Sequence, residues 1–132
     1  MGESPWRLVR EFHEVFGLEH PEVPTGVPAA LAEARQRLLD EEVGEVAEAS
    51  SAALADPSPR RLAELARELA DVVYVAYGTA IVHGFDLDAV IAEVHRANMS
   101  KLDDDGRPII RNGKVQKGPN FRPPDVTSLF PA

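Results

Sequence analysis

Leu38–Glu48 reads LLDEEVGEVAE, a helical stretch with five acidic residues in eleven. Which way those acids point decides what the surrounding helix is for. With Leu38 at zero and about 100° per residue, Leu39, Val46 and Val43 fall near 100°, 80° and 140°, and Leu31 and Ala49 near 20°. The apolar stripe therefore spans roughly 0° to 160°. Glu41 and Glu48 lie off it, near about 300° and 280°, while Glu42 lies inside it near 40° and Glu45 at its edge near 340°. Two of these acids thus face water, and Glu42 faces the core.

The same pattern recurs downstream. In RRLAELARELADVVYVAYGTAIVH, Leu62, Leu65, Leu69, Val72 and Ala76 form the main stripe, and past Asp71 the helix is apolar all round. That composition predicts burial on several sides. Asp71 stands at the mouth of this segment with Glu68 as its i−3 neighbour. Two helices therefore each carry an acid pair at i, i+3: Glu42/Glu45 and Glu68/Asp71. Carboxylates gathered beside a core repel one another, so they take up protons or are compensated by a cation. A hard divalent ion such as Mg²⁺ suits oxygen donors and bridges carboxylates to phosphates. The competing reading is a solvated acidic face salt-bridged by Arg35, Arg37 or Arg67. Residue pattern alone leads to a buried acidic, metal-binding site and no further.

Around these two helices the chain is punctuated by caps and breakers. Ser4-Pro5 opens a first helix that Gly17 can close, and Pro28 starts the long second helix that DPSP ends. Ser58-Pro59 starts the third, which stops at Gly84, and Asp86 caps a fourth over LDAVIAEVHRANMSKL. After it, RPIIRNGKVQKG places Asn112-Gly113 between short extended runs, a hairpin signal, and a proline-rich irregular segment follows. The expected fold is all-α: a four-to-five-helix antiparallel bundle with a hairpin-like or irregular tail over 103–132, within a single domain spanning 1–132. Gly44 and Gly78 sit inside helices at a cost of about 1 kcal/mol each. Close helix approach or room for a ligand would account for them.

The 132 residues contain no cysteine, which excludes disulfides, thiolate nucleophiles and cysteine-bound zinc. The net charge of −8, with scattered Lys and Arg, argues against binding a nucleic-acid polymer. No stretch reads as a leader or a bilayer span, so a cytoplasmic protein without a membrane partner is expected. A di-iron carboxylate bundle needs Glu-x-x-His on two helices, and neither Glu93-Val94-His95 nor Glu11-Phe12-His13 has that spacing.

EEVGE (41–45) followed by ELAD (68–71) resembles the ExxE…ExxD signature of the MazG-like all-α nucleoside triphosphate pyrophosphohydrolases. That superfamily also includes dimeric dUTPases and phosphoribosyl-ATP pyrophosphohydrolase. DVVYVAYG, VHRANMSK (94–101), GKVQKGPNFRPPD and VREFHEVFG extend the similarity over most of the chain, the last three towards its bacterial house-cleaning members. The resemblance implies a homodimer or a dimer-of-dimers tetramer. It implies Mg²⁺- or Mn²⁺-dependent cleavage of a nucleotide between its α- and β-phosphates, with two or more ions per site. Glu42, Glu45, Glu68 and Asp71 fall on the family's metal ligands. Glu42 is the first candidate for general base and Glu41 the second. Lys101 is assigned to phosphate and Asn98, read as pointing inward, to phosphate or sugar. Lys114 can reach a phosphate. Trp6, Val9, His13 and Phe16 share a face on which a base could stack with His13 reading an edge, although such a stripe is also ordinary core or dimer interface. The expected substrates are dUTP, dCTP or non-canonical nucleotides. The alternatives are phosphoribosyl-ATP and, in another class, a non-catalytic helical partner protein.

Overall fold

The structure is a computed structural model and describes residues 2–130. It divides into two compact units, Met1–Phe85 and Asp86–Ala132. The first contains three helices: α1 (Pro5–Phe16), α2 (Ala29–Ala55) and α3 (Pro59–Val82). The second contains α4 (Leu87–Met99), a two-stranded antiparallel hairpin of β1 (Ile110–Arg111) and β2 (Lys114–Val115), and a short 3₁₀ turn at Thr127–Leu129. The all-α class is as expected. Among the described residues no single helix is long and apolar enough to cross a membrane.

Local signals set the helix ends. The Ser4 and Ser58 hydroxyls accept from the backbone N–H of Arg7 and Arg61, each at 3.3 Å, ahead of a proline in the first turn. The Asp86 carboxylate accepts from Ala89 N–H at 3.1 Å. Gly17 closes α1 in the left-handed conformation at φ 70°. Asn112 and Gly113, at φ 51° and 72°, make the two-residue turn that matches strand twist.

In the first unit α3 is the central element, packed against both α1 and α2. Arg35 of α2 reaches Val75 and Thr79, whereas Glu42, two turns further along α2, lies beside Asp71 and Glu68. The numbering runs in opposite directions, so α2 and α3 are antiparallel. The loop before α2 is pinned to the end of α3, where Thr25 N–H donates to His83 O at 2.7 Å and His83 Nδ1 bonds Thr25 O at 3.0 Å. Among the described residues of this unit the buried side chains are few: Val9, His13, Ala53, Tyr77, Ala80, Ile81 and Val82.

The α3 stripe departs from expectation. Burial begins at Tyr77 rather than just past Asp71, and Val73 and Tyr74 are exposed. Leu62 and Leu69, placed in the core by periodicity, are each 50% exposed, and Val73 at 47% continues the same face. Helical period identifies which residues want cover but not what covers them. Here α1 and α2 occupy the other sides of α3.

In the second unit the tail is tied to α4 by a charged knot. Arg96 makes a two-pronged contact with Glu93, Nη2 at 2.8 Å and Nε at 3.0 Å, and donates to Pro123 O at 3.1 Å. Glu93 also accepts from Asp125 N–H at 2.7 Å. These hydrogen bonds, the Arg96 contact foremost, push the Glu93 carboxyl down to about 2. A depressed carboxylate stabilises the fold above its unfolded value and loses that contribution as pH falls from about 4.5 towards 2. Glu93→Gln is expected to raise hydrogen exchange across 121–126 at neutral pH while sparing α1–α3. Unchanged exchange there would refute the knot's role.

Candidate metal centre

α2 and α3 bring the predicted acids together. Carboxylate oxygens of Glu42, Glu68 and Asp71 lie within 4.8 Å of one another, and all three residues are half-buried. Glu45 is exposed but within hydrogen-bonding reach of both Glu42 and Glu68. Because Glu42 and Glu45 are one turn apart on α2, and Glu68 and Asp71 one turn apart on α3, two facing i, i+3 pairs make one four-carboxylate cluster. Glu41 lies on the exposed side of α2. Of the arginines that might have neutralised the cluster, Arg67 approaches Asp71 at 4.0 Å and is 80% exposed, and Arg35 is engaged elsewhere.

The electrostatics follow from this crowding. Burial, then the charges of Glu45, Asp71 and Glu68, push the Glu42 carboxyl up from its ordinary range. The Glu68 carboxyl is also raised, first by its hydrogen bond with Glu45 and then by burial. Glu42 Oε2 and Glu68 Oε2 are buried with no hydrogen-bond partner. A buried polar atom without a partner calls for an explanation such as an ion. The donor set is all oxygen, with no thiolate or imidazole, and fits a hard divalent cation. Along α2 and α3 the cluster opens into a groove of about 550 Å³, lined by Glu45, Glu48, Glu64, Glu68, Arg61 and Arg67 among others.

The other candidate residues are placed differently. His13 is 2% exposed, with Nδ1–H donating to Glu19 O at 2.9 Å. No ring face is left for a base to stack on, and the stripe of α1 is core at Val9 and His13, with Phe16 exposed. Asn98 is exposed rather than inward, and Ala97 is the buried residue of α4. On α4 and its C-cap it is Glu93, Arg96 and Ser100 that meet the tail, at Arg122, Pro123 and Asp125. Asn98 and Lys101 line one groove of the second unit, of about 380 Å³, with Met99, Leu102, Pro108 and Val115. Lys101 also borders a second groove, of about 450 Å³, with Arg111, Lys114 and Lys117. Sequence reasoning set Arg35 beside the acids as a candidate salt-bridge partner, whereas it bonds Val75 and Thr79 on α3, and the signal for that placement was the glycine at 78.

Residues 9–98 match the family described as phosphoribosyl-ATP pyrophosphohydrolase. The chain belongs to that family. The match takes in most of α1, both acid pairs and most of α4, and it agrees with the resemblance to the MazG-like superfamily. As a member of the phosphoribosyl-ATP pyrophosphohydrolase family, the chain is a pyrophosphohydrolase, an enzyme acting on a nucleotide. A crystal structure at 1.78 Å of a protein from Exiguobacterium sp. 255-15, described as a candidate NTP pyrophosphohydrolase, is similar over 96% of this chain and 92% of that one, at 22% identity and a TM-score of 0.48. No curated protein matches the chain.

Proposed function

We propose that the protein is a Mg²⁺-dependent nucleoside triphosphate pyrophosphohydrolase that converts a (deoxy)nucleoside triphosphate to the monophosphate and pyrophosphate. Its substrates are dUTP, dCTP or non-canonical nucleotides. The observation that carries this reading is the convergence of Glu42, Glu68 and Asp71, with two buried carboxylate oxygens left unpartnered. Those three residues and Glu45 would hold Mg²⁺, and Mn²⁺ would serve in its place. Bound there, the ion neutralises charge on the phosphates and makes water a better nucleophile. Glu42, at the centre of the carboxylate set, would accept the proton from the attacking water through an oxygen not taken by the ion. Glu41, exposed beside it, is the second choice for that proton. Lys101, which shares a groove with Asn98, is assigned to phosphate, Asn98 to phosphate or sugar, and Lys114 to phosphate.

The second reading is phosphoribosyl-ATP as substrate. It is favoured by the description of the family that matches 9–98. The house-cleaning reading rests on the VREFHEVFG helix and on GKVQKGPNF, which lies beyond the matched residues. Comparing kcat/KM for dUTP, dCTP and phosphoribosyl-ATP decides between them. Preference for a deoxynucleotide supports the first, and preference for phosphoribosyl-ATP replaces it.

The reading includes a homodimer, alone or paired into a tetramer. Its support is the half-exposed stripe of Leu62, Leu69 and Val73 on α3, a face that a second copy would cover. Leu69→Glu is expected to shift the sedimentation coefficient to that of a monomer. A wild-type chain that sediments as a monomer would remove this part of the reading.

A further inference from the structure

Among the described residues, Arg35 is a cation with no carboxylate partner. Its guanidinium is half-buried between α2 and α3, where Nη2 donates to Val75 O at 2.7 Å and Nε donates to Thr79 Oγ1 at 3.1 Å. Burial lowers its pKa, so the fold pays to keep it there. A hydrophobic residue of similar volume would avoid that cost. Gly78 is what admits the side chain. A Cβ at 78 would collide with Arg35 Nη2 and would lie 3.2 Å from its Cζ and 3.3 Å from His13 Nε2. The glycine inside α3 is therefore a notch in which a side chain of α2 lies, backed by a buried imidazole of α1. With Nδ1–H given to Glu19 O, His13 turns an unprotonated Nε2 towards this notch, and burial, together with Arg35, keeps the ring neutral near pH 7.

The notch stands in a fixed relation to the acidic cluster. Arg35 precedes Glu42 by seven residues on α2, and Asp71 precedes Gly78 by seven on α3. Seven residues are about two turns, so each pair shares a helix face, with about 10.5 Å of rise between its members. In antiparallel helices, the Arg35–Gly78 contact and the Glu42–Asp71 contact are two rungs of the same ladder. A one-residue screw displacement of α2 against α3 would turn Glu42 by about 100° away from Asp71 and shift it by about 1.5 Å. Apolar packing tolerates such slips better than a guanidinium bonded to one carbonyl and one hydroxyl.

We propose that Arg35, seated in the Gly78 notch and bonded to Val75 and Thr79, is a positioning residue that sets the register of α2 against α3 and so holds Glu42 opposite Glu68 and Asp71. The inference rests on the metal-site reading above. Groups bonded directly to a metal ligand change affinity by about 10- to 100-fold when removed; Arg35, two turns away and bonded to Val75 and Thr79, acts through the helix register, so the lower end of that range bounds its effect.

The test is Mn²⁺ affinity, read by the electron paramagnetic resonance of free Mn²⁺, beside the thermal midpoint without metal. Arg35→Met should bind Mn²⁺ more weakly than wild type, by up to about tenfold. Arg35→Lys, which keeps a donor for Val75 O, should recover part of that loss. The deciding variant is Arg35→Ala with Gly78→Ala, in which the notch is filled by a methyl group and α3 gains a better helix former. Its thermal midpoint should return to or pass that of wild type while its Mn²⁺ affinity stays weak. A double variant that binds Mn²⁺ as wild type does would overturn the inference, because packing alone would then place the ligands. A wild-type chain that takes up no Mn²⁺ would sink the metal-site reading and this inference with it. That outcome differs visibly from a variant matching a metal-binding wild type.

Discussion

Glu42→Gln is expected to leave a folded chain that has lost roughly 10²- to 10⁴-fold in kcat, the range associated with removing a general base. The substitution keeps the size and shape of the side chain. It removes the negative charge, and with it the capacity to accept a proton, from an oxygen that is buried and unpartnered. Because Glu42 also sits at the centre of the carboxylate set, the variant should bind metal more weakly, so saturating Mg²⁺ should restore only part of the activity. Glu41→Gln, altering the exposed neighbour, should cost much less. Steady-state kinetics across a Mg²⁺ titration separates the two. Equal losses in both variants would move the proton-accepting role away from Glu42.

Added Mg²⁺ should raise the thermal midpoint, and the rise should grow with pH. Glu42 and Glu68 both titrate above the ordinary carboxylate value in the folded chain. Between about 4.5 and those raised values the folded state binds more protons than the unfolded state, so without metal the cluster's contribution to stability falls as pH rises through this window. Metal and protons compete for the same oxygens, so affinity should climb through the window and level off above it. At neutral pH, with free metal at about a hundred times the Kd, linkage supplies about 2.7 kcal/mol. For a chain of this size that corresponds to a rise of roughly 10 °C. Differential scanning fluorimetry at pH 4.5 and 7.5, with Mg²⁺ against an equal ionic strength of NaCl, checks it. A shift of equal size at both pH values would contradict a carboxylate site.

The parts of this fold legible in the sequence are those written locally. Ser4-Pro5, Ser58-Pro59 and Asp86 mark helix starts because a cap bonds a backbone N–H only three residues away. Asn112-Gly113 marks its turn because the turn demands positive φ at two successive residues. The acidic site was legible for a related reason: Glu42 lies on an apolar arc, and the i, i+3 spacing places each pair on one face of its helix. What periodicity could not convey is which apolar face a neighbour covers. Leu62 and Leu69 obey the helical period yet stay half-exposed, and Asn98 lost its inward position to Ala97. The Arg35–Gly78 contact joins residues far apart in sequence. Only the odd glycine hinted at it, and nothing local named its partner.

The most direct measurement is the ³¹P NMR spectrum of dUTP incubated with the purified chain, with Mg²⁺ and then with EDTA. The account predicts dUMP and pyrophosphate in equal amounts with Mg²⁺, and intact dUTP with EDTA. Release of orthophosphate with dUDP, or turnover indifferent to EDTA, would contradict it.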